Sequence, residues 1–128
     1  MEKTLYQDIK DRTFKFALRI ITLVEQAPES RSGRVLANQV LRSGTSIGAN
    51  VEEATAAYSK ADFVYKLSIA LKEARETHYW LRLIEESRLI KQARLADLLN
   101  ECEEIKKVLG SIVSKVRGKN KAKNDNAD

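Results

Sequence analysis

The chain has 128 residues, enough for one domain, and carries 23 Lys/Arg against 18 Asp/Glu for a net charge of +5. A single Pro, five Gly and 6% aromatics, set among abundant Ala, Leu, Glu, Lys and Arg, favour helix over sheet. The lone Cys102 excludes an internal disulfide and fits a reducing, cytoplasmic setting. The apolar stretches, such as Leu18 to Val24, are too short and too charged to span a membrane, and no signal peptide is expected.

A first helix is predicted from about Thr4 to Gln26, opened by Thr4 and Gln7 at capping-box spacing. Leu5, Ile9, Phe16, Ile20 and Leu23 form its apolar stripe, widened by Ala17, Ile21 and Val24 and broken once at Arg12 or Thr13. Ala27-Pro28 ends it, because the residue before proline disfavours the α region. The second helix is expected from about Ser32 to Tyr58, with Leu36, Val40, Ile47, Val51, Ala54 and Tyr58 inward. Gly44 and Gly48 within it each cost about 1 kcal/mol relative to alanine, so a close helix–helix approach is expected to compensate.

The third helix begins after Ser59, three residues before Asp62, and keeps Phe63, Leu67, Ala70, Ala74, Thr77, Leu81 and Ile84 in a seven-residue repeat up to a turn at Ser87-Arg88. The fourth runs from about Lys91 to Val116 on Leu95, Leu98, Cys102, Ile105, Leu109, Ile112 and Val116. Cys102 sits at a core position, as a small hydrophobe would. Gly118 is expected to stop this helix, leaving 1–117 as the bundle and 118–128 as a basic, disordered tail. Short connections between long helices force antiparallel neighbours, so the fold expected is an all-α, antiparallel, up-down-up-down four-helix bundle.

Two helices carry a second, polar stripe: Ser43, Ser46, Asn50 and Glu53 on the second, and Asp62, Lys66, Ile69, Glu73, Glu76 and Trp80 on the third. Small polar residues and glycines in mid-helix are poor choices for helix propensity. The stripe therefore reads as a hydrogen-bonded network between helices, as a subunit interface, or as a ligand or nucleic-acid surface. A catalytic site is not expected. His78 is the only histidine and stands outside the Glu-x-x-His pattern of carboxylate metal bundles, and there is no phosphate loop and no cysteine pair. No metal or cofactor is expected.

The segment Arg42-Ser43-Gly44-Thr45-Ser46-Ile47-Gly48-Ala49-Asn50-Val51-Glu52-Glu53-Ala54 resembles the hallmark of the four-helix bundle proteins encoded in 23S rRNA intervening sequences. So do Lys60-Ala61-Asp62-Phe63, Leu67-Ser68-Ile69-Ala70, Lys72-Glu73 and the run from Glu76-Thr77 through Tyr79-Trp80-Leu81. The likeness covers roughly residues 5–116. That family is similar to the accessory protein of diversity-generating retroelements, which pairs with a reverse transcriptase. The resemblance implies a homopentameric ring, RNA or DNA binding through a basic surface, and no enzymatic activity. Its shared positions fall here on Ser43, Ser46, Asn50, Glu53, Asp62, Phe63, Glu73, Glu76, Trp80 and Leu81. None is basic, which suits assembly or folding better than phosphate contact.

Charge supplies the rest of the functional expectation. Residues 1–114 hold 18 basic and 16 acidic side chains, whereas 115–128 hold five basic and two acidic. A non-catalytic, homo-oligomeric, RNA-associated protein would draw its phosphate contacts from Lys10, Lys15, Arg19, Lys115, Arg117, Lys119, Lys121 and Lys123, repeated around a ring. The competing expectation is a protein–protein adaptor, such as an accessory subunit for a reverse transcriptase.

Overall fold

The computed structural model describes residues 4–91 and 95–126, and over 119–126 the backbone alone. Four helices follow in order: α1 (Leu5–Val24), α2 (Arg31–Glu53), α3 (Lys60–Ser87) and α4 (Leu95–Asn126), with one 3-10 turn at Ala54–Ala56 after α2. Side chains close the first three N-termini. Thr4 accepts from the Gln7 amide at 3.0 Å, Ser30 from Gly33 at 3.1 Å and Ser59 from Asp62 at 3.1 Å. Asp62 returns the favour by accepting from the Tyr58 amide at 3.2 Å. At the other end of α3, Arg88 turns left-handed with φ 57° and halts the helix.

The helices pack as a ring of four, α1 on α2, α2 on α3, α3 on α4 and α4 back on α1. The contacts fix the directions. On the first seam Lys10 meets Glu52 and Gly44 meets Ile20; on the third, Arg117 meets Ser68 and Glu103 meets His78. Rising numbers on one helix meet falling numbers on the next, so neighbours are antiparallel and the expected up-down bundle is the fold.

Phe16, Ile20, Val40, Ile47, Leu67, Leu81, Ile105 and Leu109 fill the middle with 1% exposure or less. The break in the first stripe falls on Thr13, which is fully buried and donates its hydroxyl to the Ile9 carbonyl at 2.8 Å. Arg12 turns sideways to Glu101 of α4, two nitrogens to two oxygens at 2.6 and 3.1 Å. Cys102 is buried with its thiol 3.3 Å from the Ala74 carbonyl. Burial pushes this thiol up to about 12, so it packs as a hydrophobe.

The two mid-helix glycines are spent on the α1–α2 seam. A Cβ on Gly44 would stand 3.0 Å from Ile20 Cγ1, and one on Gly48 would stand 3.3 Å from the Thr13 carbonyl oxygen. Both positions therefore serve close approach within one chain.

Several sequence expectations need correction at the helix ends. Leu5 is 44% exposed, because Tyr6 takes the end of the core and donates its hydroxyl to the Val51 carbonyl at 2.5 Å. Tyr58 is 98% exposed: the chain leaves the helix after Ala56, with Ala57 extended at ψ 138°, so that Ser59 can cap α3. Val64 rather than Phe63 enters the core, and Phe63 packs edge-on to Tyr6 at 5.3 Å. Lys91 is not helical, and 92–94, where the fourth helix was expected to be under way, lie outside the described residues.

Gly118 does not stop α4, which continues to Asn126. A glycine in mid-helix costs only about 1 kcal/mol and terminates a helix where it turns left-handed. No described glycine does so here. The cations of this last segment also suit the negative end of the helix dipole.

Candidate functional site

The polar stripe divides into three parts. At its centre, Ser43 and Thr77 are fully buried and hydrogen-bonded at 2.8 Å across α2 and α3. One turn out, Arg42 bonds Glu73 at 3.3 Å and also bonds Glu76, whose Oε1 accepts the Trp80 indole N–H at 3.2 Å. The Arg42 hydrogen bond holds the Glu76 carboxylate below its ordinary value, and the pair raises Arg42 in turn. The remaining members do not join. Ser46 and Asn50 bond back to the carbonyls of Arg42 and Ser46 on their own helix, Asp62 serves the start of α3, and Glu53 is exposed.

The partner for Glu73 and Glu76 is thus Arg42, which stands outside the predicted polar stripe. Arg42 has an Arg-to-Glu relation across helices 31 and 34 residues apart, which helical periodicity along one segment does not reveal. The arrangement contains a paired guanidinium, two carboxylates and an indole with their hydrogen bonds made. Among the described residues no buried side-chain nitrogen or oxygen lacks a partner.

The expected phosphate contacts do not form one patch. Lys10 lies on the α2 flank of α1, 3.5 Å from Glu52, while Lys15 and Arg19 are exposed on the flank nearer α4. Lys115 and Arg117 are exposed on α4, and Arg117 donates to the Ser68 hydroxyl at 3.3 Å. The backbone at Lys119, Lys121 and Lys123 continues α4, and their side chains lie outside the described residues. Between Lys115 and Asn126 the helix therefore carries five cations in sequence and one acid, Asp125.

His78 packs against α4 with Nε2 3.3 Å from Glu103, whose same oxygen is 3.0 Å from Lys106. Among the described residues no group of three or more His, Cys, Asp or Glu could hold a metal ion. Nor is any helix there long and apolar enough to cross a membrane. Among the described residues one hollow lies over Tyr6, Thr55, Tyr58 and Phe63 at the end of the bundle, and another over Phe14, Ala17, Gly48 and Ala49 between α1 and α2. Beside the second, Phe14, Leu18 and Ile21 are 62, 51 and 43% exposed, an apolar row along α1.

Fold and site together define an all-α, antiparallel bundle whose polar seam groups tie helices to one another. The family model described as 23S rRNA-intervening sequence protein matches residues 6–111, and the chain belongs to that family. A crystal structure of a protein of unknown function from the S23 ribosomal protein family of Bacteroides thetaiotaomicron is 43% identical. It superposes with a TM-score of 0.80 over 87% of this chain and 99% of the other. Among curated proteins none matches.

Proposed function

We propose that this chain is a non-catalytic, self-associating, cytoplasmic bundle protein that binds nucleic acid. The observation that carries the reading is the basic end of α4, where five cations and one acid share a helix from Lys115 to Asn126. A helix with that run in its sequence carries an excess of positive charge at its end, and each phosphate neutralised releases a counterion. Some of the acids elsewhere are engaged: Glu52, Glu73, Glu76, Glu101 and Glu103 each face a cation on a neighbouring element or turn. The membership in a family named for an rRNA insertion supports an RNA ligand.

Self-association is read from the apolar row of Phe14, Leu18 and Ile21, three large side chains left 62, 51 and 43% exposed on one face of α1. A pentameric ring would multiply a modest basic surface. The same row also favours the second reading, an adaptor that docks another protein such as a reverse transcriptase.

Titration of structured rRNA against the purified protein over a salt series tests the first reading. Binding that falls steeply with salt supports it, and no binding at low ionic strength overturns it. Mass measurement in solution tests the self-association separately: a monomer at all concentrations removes it.

A further inference from the structure

α3 carries a third stripe, on the side turned away from the core. Tyr65, Ser68, Lys72, Arg75, Tyr79 and Arg82 follow one another at three and four residues throughout, so they form one row. Every member but Ser68 is exposed, and the two tyrosines keep 61 and 51% of their surface. The row contains no acid until Glu86. Glu76 beside it is held by Arg42 and Trp80. Among the described residues Lys72, Arg75 and Arg82 have no carboxylate within ion-pair distance. Arg117 of α4 joins the row at Ser68, linking it to the basic end of α4.

We propose that this outward face of α3 is a docking surface for single-stranded nucleic acid, with Tyr65 and Tyr79 as base-stacking platforms and Lys72, Arg75, Arg82 and Arg117 as phosphate contacts. The inference rests on the nucleic-acid reading above and places it on a specific face. Cations alone would suit any polyanion. Aromatic rings set among them suit a strand whose bases are unpaired, because every base offers a face to an exposed ring. A duplex keeps its base faces stacked inside and can use only the cations. The row from Tyr65 to Arg82 spans about 25 Å at the helical rise, long enough to follow a strand over several nucleotides. Tyr79 is also braced edge-on by Trp80, ring centres 5.2 Å apart, which limits the freedom it loses on stacking.

The test measures binding of an unstructured oligoribonucleotide and of a perfect duplex of equal length by fluorescence anisotropy, over a salt series, with circular dichroism to confirm that each variant folds. The wild-type protein is expected to prefer the single strand. Tyr65→Ala with Tyr79→Ala should weaken the single strand about tenfold or more and leave the duplex nearly unchanged, and Phe at both positions should restore it. Arg75→Gln with Arg82→Gln should flatten the salt dependence for both ligands. Equal affinity for the two ligands, or alanine variants that bind the single strand as the wild type does, overturns the inference. If those variants are silent while Lys15→Gln, Arg19→Gln and Lys115→Gln together abolish binding, the nucleic-acid reading stands and only its placement on α3 falls. If the wild type binds neither ligand at low salt, both fall.

Discussion

Thr77 and Ser43 share a hydrogen bond of 2.8 Å at the buried seam of α2 and α3, and Thr77 also bonds the Glu73 carbonyl one turn back at 2.8 Å. The two residues are therefore unequal. Thr77→Val takes from the buried Ser43 hydroxyl its partner across the seam and should cost about 1–3 kcal/mol in chemical denaturation. Ser43→Ala leaves Thr77 its carbonyl and should cost less than about 1 kcal/mol. The double variant should be little worse than Thr77→Val alone, because both ends of the bond are then gone. Costs that simply add would show that the hydroxyls do not act as a pair.

The glycines give opposite signs according to what faces them. A methyl on Gly44 meets the fully buried Ile20 at 3.0 Å, and Ile20 is a branched core side chain without a free end to swing away. Gly44→Ala should destabilise by about 1–3 kcal/mol despite the better helix propensity of alanine. Gly110 has nothing within 4 Å of the added carbon. Gly110→Ala should therefore raise stability, by up to about 1 kcal/mol, with thermal unfolding as the readout.

These cases mark what was legible in the chain. The four helices follow from apolar spacing and from Thr4, Ser59 and Pro28, and the close approach at Gly44 and Gly48 follows from the cost of glycine in a helix. The helix ends were less legible. Spacing alone carried the second stripe on to Tyr58, while the competing demand of the Ser59 cap turned the chain out after Ala56. The site was only partly legible because periodicity reports which residues share a face, not which faces meet. Ser43 and Glu76 share the stripe, yet their partners, Thr77 and Arg42, were set by the docking of α2 on α3. The outward row on α3 keeps three- and four-residue spacing in the sequence, but its exposure follows only from the packing of the opposite face against α2 and α4.

Trp80 is the only tryptophan and donates to Glu76, so its fluorescence reports on the Arg42 cluster. Arg42 holds the Glu76 carboxylate below its ordinary value. The folded state thus binds this proton less readily than the unfolded state. The stability it contributes is present above the ordinary glutamate range and is lost as pH falls through the depressed folded value. The acid titration of Trp80 emission should have its midpoint below that of a free glutamate, and Arg42→Ala should move the midpoint up. The Arg42 side chain is half exposed, so the same substitution should lower stability by only about 0.2–1 kcal/mol. An unmoved midpoint would remove Arg42 as the cause of the shift.

His78 offers the cleanest pH measurement, because it is the only histidine in the chain. Glu103 stands 3.3 Å from Nε2 and favours the imidazolium, whereas burial and the nearby Lys106 and Arg82 disfavour it. Burial is the largest of these influences, with Lys106 next, and together they set His78 below its ordinary 6.5. Lys106 also reaches Glu103 at 3.0 Å, drawing on the one carboxylate that would stabilise the charge. The folded state therefore binds this proton less readily than the unfolded chain does. The resulting stability is full above 6.5 and is lost as pH falls through the lower folded value. Nuclear magnetic resonance titration of the single imidazole should give a midpoint below 6.5. Lys106→Gln should raise that midpoint, by removing a like charge and freeing Glu103 for His78, and Glu103→Gln should lower it further. A wild-type midpoint at or above the ordinary value would mean that Glu103 outweighs burial and Lys106, and that the α3–α4 seam gains rather than loses stability as His78 takes up its proton.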